Sequence, residues 1–294
     1  MSSGATGILD SCLIEDLLAN ASQRRLSPAS SATTQRGLHM VPALTHGERF
    51  SQDGVPDLLS KEGFDLAWTQ YQGLMVDKLN VLTEGTTDEN SSTNTLLTTY
   101  ARQPEMASLF NHASMAHNNH FFFDCLSPQT TVIPSALEEQ LCADFTSIET
   151  LRKEFIATAS AMFGPGFVWL VKLNDLGQYR LLTTYLAGSP YPAAHYRQQP
   201  TDMNTQSQQS MGGLSNKPFA RQQSPQNSPG FASKRLAPGG VNLLPIVCVN
   251  TWEHVWLRDW GIGGKKWYLE QWWDRIDWDK AANRGLPSGY KRYS

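Results

Sequence analysis

Residues 243–260 read Leu-Leu-Pro-Ile-Val-Cys-Val-Asn-Thr-Trp-Glu-His-Val-Trp-Leu-Arg-Asp-Trp, an apolar run that passes directly into a polar and aromatic one. Ile246 to Val249, β-branched or small apolar residues behind Pro245, predict a short buried strand. Trp252, Val255, Trp256 and Asp259 then recur at helical spacing, so a helix follows. Asn250 and His254, four residues apart, can share one face at the strand-to-helix junction. That arrangement suits a pair of ligands. It suits equally a buried histidine held by neighbouring Trp and Glu side chains.

Working outward, the chain has 294 residues, 40% of them apolar and only 17% charged, enough for one large core or two modest ones. A formal net charge of -3 leaves no chain-wide basic footprint, so any contact with nucleic acid must be local or carried by protein. Cys12, Cys125, Cys142 and Cys248 are widely spaced without a CxxC, which suggests neither a zinc site nor a disulfide framework. No apolar run approaches the roughly 20 residues of a membrane span, and no membrane partner is expected. Residues 24–39 carry Arg24, Arg25 and Arg36 among serines and threonines with no acid, the composition of an organelle transit peptide. Asp10, Glu15 and Asp16 do not suit an import helix, so residues 1–47 are read as a transit peptide or a disordered extension.

From Leu58 to Leu82 the apolar residues recur at spacings of three and four, which predicts an amphipathic helix. A second helix fits Asn94 to Phe110, kinked or divided by Pro104, and a polar turn at residues 83–92 folds the two into a hairpin. A third run, Asn111 to Cys125, holds His112, His117 and His120 beside Phe121, Phe122 and Phe123. These make a first domain, 48–130. In the second, 131–294, two helices span Leu137 to Phe163, with Thr146 or Ser147 opening the second of them. Gly164, Pro165 and Gly166 end it, and residues 167–173 and 179–185 form a strand, tight turn and strand. With the strand through Val249, a three-stranded antiparallel sheet flanked by helices results, and the fold class is α+β. Residues 197–240, rich in Gln, Ser, Asn, Pro and Gly, form a low-complexity insertion. Its basic residues leave open a solvated or partner-contacting segment and a nucleic-acid arm.

The stretch Asn250-Thr-Trp-Glu-His-Val-Trp256 resembles the D-x-W-E-H-x-Y signature of the iron/manganese superoxide dismutases. Further motifs follow in order. Residues 116–123 resemble the family's G-H-x-N-H-x-x-F, residues 77–80 the end of its Y-V-x-x-x-N, and FGPGFVWLV at 163–171 its G-S-G-W-x-W-L-V hairpin. Residues 267–278 resemble its final aromatic helix. The resemblance implies an N-terminal helical hairpin, the α+β second domain, and a redox metal held by three His, one Asp and a solvent molecule. Transferred residue by residue, the ligand places read Ala67, His120, Asn250 and His254, with Trp68 beside the first and Tyr71 and Met75 in the second-sphere places. Alanine offers no donor, and asparagine lacks the anionic oxygen a hard or borderline cation favours. The Gln that positions the metal-bound solvent has no clear counterpart near the insertion.

The resemblance therefore implies a fold that has outlived its chemistry, with no metal, cofactor or reaction. In dismutases the W-E-H glutamate of one subunit hydrogen-bonds the ligand His of the other, which makes Glu253, His254, Trp256 and His117 candidates for a dimer contact. Trp256, Trp260 and Trp267 either enlarge such a contact or belong to the core. This fold, ligand loss and a mitochondrial address are similar to the paired superoxide-dismutase-like proteins of the fungal mitochondrial small ribosomal subunit. The expectation is a structural ribosomal protein of the mitochondrial matrix. It would act in mitochondrial translation through a homologous heterodimer partner and neighbouring small-subunit proteins, with limited rRNA contact. The alternatives are a mitochondrial iron or manganese superoxide dismutase with an aberrant ligand set, and a metal-free binding module outside the ribosome.

Overall fold

Two long helices lie side by side in the first half of the chain because each carries an apolar stripe that only the other, and the sheet beyond, can cover. The computed structural model describes residues 38–174, 176–191 and 243–286. The transit-peptide reading of residues 1–37 and the insertion at 197–240 lie outside the described residues. Residues 38–46, assigned with that extension, run without regular structure into α1 (Gly47–Asp53). They are tied down: the His39 N–H donates to Asn80 Oδ1 at 2.7 Å and the Asn80 carboxamide returns a bond to His39 O at 3.1 Å.

Helix α2, residues 61–83, opens at Ser60, whose Oγ caps the Gly63 N–H at 3.0 Å. Asp259, far along the chain, accepts from the Ser60 N–H at 2.8 Å and from the Ser60 hydroxyl at 2.7 Å. A carboxylate at this helix start complements the partial positive charge of its unpaired N–H groups. It fits only because Gly63 has no Cβ, which would collide with the Asp259 carboxylate. The helix is α-helical at Lys61–Phe64, π-helical over Asp65–Gln70 and α-helical again over Tyr71–Thr83.

The second predicted helix is shorter than its periodicity suggests. Helix α3 (Thr93–Tyr100) stops before Pro104, which forces Gln103 into extended backbone. One 3-10 turn, Pro104–Met106, then leads into α4 (Ala107–Asp124), so residues 107–110 belong to the third run. Helices α5 (Ser135–Phe145) and α6 (Ile148–Ala161) are separated at Thr146, whose φ of 69° breaks the first. Ser147, which accepts from the Thr150 N–H at 3.1 Å, caps the second.

Strands β1 (Gly166–Leu173), β2 (Tyr179–Tyr185) and β3 (Leu243–Asn250) form an antiparallel sheet in the order β2-β1-β3. Gly166 pairs with Tyr185 and Phe167 with Asn250, which places the end of β3 beside the start of β1. Pro245 is accommodated because β3 is an edge strand and the register slips between Leu170 and Val171, opposite it. Helices α7 (Glu253–Trp260), α8 (Lys265–Asp274) and α9 (Trp278–Gly285) complete the layer. Helices α4 and α9 lie against β3, and α6 contacts β1 and α8. One apolar core runs through both halves, from Phe64 and Phe123 to Trp169, Trp272 and Tyr268. Each such large side chain, fully withdrawn from water, contributes about 2–3 kcal/mol.

Candidate metal centre and the face beside it

The end of β3, the π-helical part of α2 and the middle of α4 meet in a buried polar cluster. Asn250 is fully buried; its Oδ1 accepts from the Trp252 N–H at 2.9 Å and its carboxamide N–H donates to Asn119 Oδ1 at 3.2 Å. Asn119 donates in turn to the carbonyl of Ala67 at 3.2 Å and to Gln72 Oε1 at 3.1 Å. Gln72 then donates to the Ala116 carbonyl at 2.9 Å. Asn119 and Ala67 are fully buried and Gln72 is nearly so. Tyr268 closes the cluster from α8, donating to the Asn250 carbonyl at 2.8 Å.

Of the predicted ligand places, Ala67 and Asn250 are thus brought to one point. His120 is not. One residue on along α4 turns a side chain by about 100°, and His120 points instead towards Trp68, its ring centroid 6.0 Å away. There burial lowers its pKa, against the opposing pull of Asp124 and a hydrogen bond to the Ala43 backbone. Asp124 is engaged by Lys280 at 2.6 Å and Arg284 at 2.9 Å, which joins the end of α4 to α9.

His254 lies flat on Tyr71, centroids 4.0 Å apart and planes 19° from parallel. Its Nε2 is buried without a hydrogen-bond partner among the described residues, and burial pushes its pKa down to about 4. Tyr71, taken as a second-sphere place, is the ring that holds this histidine. Met75, one turn on, lines a cavity of about 550 Å³ with Tyr71, Met115, Tyr185, Leu186 and Trp252.

A metal does not fit this donor set. Ala67 presents only its carbonyl, already bonded to Asn119, and Asn250 and Asn119 present carboxamides bonded to each other. The cluster has no carboxylate to offset a cation. Among the described residues, no cluster of three or more His, Cys, Asp or Glu side chains could hold an ion.

The dimer-contact candidates separate in the same way. Glu253 is exposed in the first turn of α7, beside the half-buried His254. Trp256, at 6% exposure, is core, with its indole N–H donating to the Thr251 carbonyl at 3.2 Å. Trp260 is partly buried and bonds the Leu58 carbonyl at 2.8 Å, whereas Trp267 is exposed. His117 is enclosed within the chain, its Nε2 2.8 Å from the Tyr191 hydroxyl and its Nδ1 3.3 Å from Thr93 Oγ1. Its pKa falls to about 4, through burial first and then the nearby His120 and Arg284 charges.

Two exposed apolar side chains lie near the start of α7: Leu186 shares the cavity with Trp252, and Phe163 follows Met162, whose sulfur accepts from the Thr251 hydroxyl at 3.6 Å. Phe163 is 97% exposed and Leu186 59% exposed, the latter held at φ 53°, a left-handed conformation that leucine rarely adopts. The two are linked through the Pro165 carbonyl, which accepts from the Leu186 N–H at 2.9 Å. Lys265, which feels the charge of Glu253, donates to the Met162 carbonyl at 3.0 Å, so the Ile262 loop, also exposed, adjoins the same edge. The Trp252 ring N–H, like His254 Nε2, is buried without a partner among the described residues. Sequence reasoning singled out none of Phe163, Leu186 and Asn119 as site residues.

Residues 133–200 and 224–284 match the family of iron/manganese superoxide dismutases, C-terminal domain. The chain is 30% identical to the small ribosomal subunit protein mS43 of Schizosaccharomyces pombe over 84% of its own length and 84% of that protein's. It is 29% identical to the small ribosomal subunit protein mS42 of the same organism, covering 64% of this chain and 71% of the relative. To a superoxide dismutase (Fe) of Helicobacter pylori it is 33% identical over 48% of this chain and 64% of that protein. The helical hairpin, the β2-β1-β3 sheet and these matches agree, and the chain belongs to the superoxide dismutase-like family that includes the small ribosomal subunit proteins mS43 and mS42.

Proposed function

We propose that this protein is a structural component of the mitochondrial small ribosomal subunit, acting in mitochondrial translation through protein contacts and catalysing no reaction. The observation that carries this reading is the state of the former metal centre. Its carboxamides are bonded to one another and to backbone, and a carboxylate that would offset the charge of a redox cation is missing from it among the described residues. Its similarity to mS43 and mS42 supports the ribosomal assignment.

The partner in this reading is a homologous superoxide dismutase-like chain, docked on the face around Glu253. Three features support it: exposed Phe163 and Leu186, the unusual backbone of Leu186, and the buried Trp252 ring N–H and His254 Nε2, neither with a hydrogen-bond partner among the described residues. An unpaired buried polar atom costs about 1–3 kcal/mol, a cost removed if a partner supplies its complement. The near-neutral charge favours a protein-rich position with limited rRNA contact. The test is sedimentation of an organelle lysate through a magnesium-containing gradient. The protein is expected to migrate with the small ribosomal subunit and to move lighter when EDTA dissolves the particle. Migration as a free dimer near the top overturns the reading.

A further inference from the structure

We infer that Asn119, rather than His120, stands in the second ligand place, and that a one-way chain of carboxamides, Asn250 to Asn119 to Gln72, has taken over the metal's task of joining β3, α4 and α2. The placement follows from contacts. Asn119 is the α4 side chain that reaches both Ala67, in the first ligand place, and Asn250, in the third. His120 reaches neither and lies beside Trp68 and Asp124.

The direction of the chain follows from its ends. Gln72 meets the Ala116 carbonyl, which can only accept, so Gln72 must present its N–H there and its oxygen to Asn119. Asn119 must then donate to Gln72 and to the Ala67 carbonyl, which leaves its oxygen for Asn250. Asn250 must donate to that oxygen and accept from the Trp252 N–H with its own. No amide can be flipped without setting two acceptors or two donors against each other, so the orientations are dictated by the backbone rather than chosen. A metal holds helices and strand together by ligating each of them; this relay bonds each of them to the next, without charge.

The test uses the full chain in two forms, Ala67→His/Asn119→His/Asn250→Asp and Ala67→His/Asn250→Asp, each titrated with Co(II) and read by visible absorption and by metal content. The triple variant has three imidazoles with His254, and a carboxylate. It is expected to bind about one Co(II) per chain, at least roughly 100-fold more tightly than the double variant, which retains His120. Equal affinity of the two, or a triple variant no better than the unmodified protein, overturns the assignment. Should circular dichroism show the triple variant unfolded, the unmodified chain labelled with ¹⁵N at asparagine decides. The Asn119 and Asn250 carboxamide protons are expected to exchange with D₂O at least about 100-fold more slowly than those of exposed asparagines, and exchange at the free rate overturns the relay.

Discussion

Replacing Asn250 by aspartate restores the carboxylate found in dismutases, and the structure says that it will harm the protein. The wild-type carboxamide donates to Asn119 Oδ1 and accepts from the Trp252 N–H. The ionised side chain of the Asn250→Asp variant keeps the acceptor and loses the donor, setting a buried negative charge against the Asn119 oxygen. Asn119 cannot turn over in response, because its N–H groups already serve the Ala67 carbonyl and Gln72. Removing one partner of a buried charge or leaving a charge uncompensated costs roughly 3–5 kcal/mol, and some relaxation brings the expected loss to about 3 kcal/mol at pH 7. That loss corresponds to a carboxyl pKa raised by about 2 units above its unfolded value near 3.9. The folded variant then holds its proton through a window where the unfolded chain has released it, so the penalty shrinks as pH falls. Protonated, the new carboxyl donates to Asn119 much as the amide did. Urea unfolding of the full-length wild type and Asn250→Asp at pH 7 and pH 5 should show the difference falling from about 3 to about 1.5 kcal/mol, with unchanged denaturant slope. A variant within about 0.5 kcal/mol of wild type at pH 7, or a penalty that grows on acidification, refutes the reasoning.

Three further outcomes are expected. Asp259→Ala removes both acceptors that hold Ser60 at the start of α2, and should cost about 1–2 kcal/mol, seen as a drop of several degrees in Tm. Phe163→Asp with Leu186→Asp should weaken association with the homologous partner by at least about 30-fold in sedimentation or titration calorimetry, while monomer stability changes by less than about 1 kcal/mol. His117 and His254, both depressed to about 4, take up protons near pH 6.5 when unfolded and only near pH 4 when folded. Stability should therefore fall as pH drops from about 6.5 towards 4, by at most about 1.4 kcal/mol per pH unit for each ring, and these two groups add no slope above that window. His117→Gln should remove its part of the slope, which urea titrations across pH 4–8 would detect.

The sheet was legible in the sequence because its signals are local. Gly164 to Gly166 stops a helix, residues 174–177 make a turn between alternating runs, and Ile246 to Val249 has nowhere to go but the interior. The long helix α2 was legible from its period, although nothing in that period announces six π-helical residues at Asp65–Gln70. The second helix was overextended because Leu96, Leu97, Leu109 and Phe110 keep a helical rhythm on both sides of Pro104, and the rhythm does not say where backbone continuity fails. At α4 the structure brings Asn119, not the expected His120, to Ala67 and Asn250. A motif with Asn118, Asn119 and His120 in succession allows two phases, and matching letters favoured the histidine. The apolar phase carried the better signal: Phe122 and Phe123, three and four residues after Asn119, and Met115 and Ala116 before it are all buried on its face. His120 shares its stripe with Asp124 and belongs to the polar side. The exposed Phe163 and Leu186 could not be found this way, since an apolar residue in a turn looks the same in sequence whether it is covered or bare.

The π-helical stretch of α2 has a consequence for how this chain can vary. The Tyr71 N–H reaches back to the Leu66 carbonyl, one residue farther than an α-helix allows, so the helix holds a surplus residue in a wide turn. Upstream of it, the Ala67 carbonyl faces Asn119; downstream, Tyr71 lies against His254 and Met75 lines the groove. The wide turn absorbs that residue, so the stretch turns through about the angle of five α-helical residues and the segments on either side keep the facing of an unbroken helix one residue shorter. Segment length at 65–70 is therefore free to shorten by one residue, the helix reverting to ordinary α geometry. Thr69 and Gln70, both exposed, should accept many replacements, and a single deletion there should close the wide turn into α-helix while leaving Ala67 facing Asn119 and Tyr71 against His254.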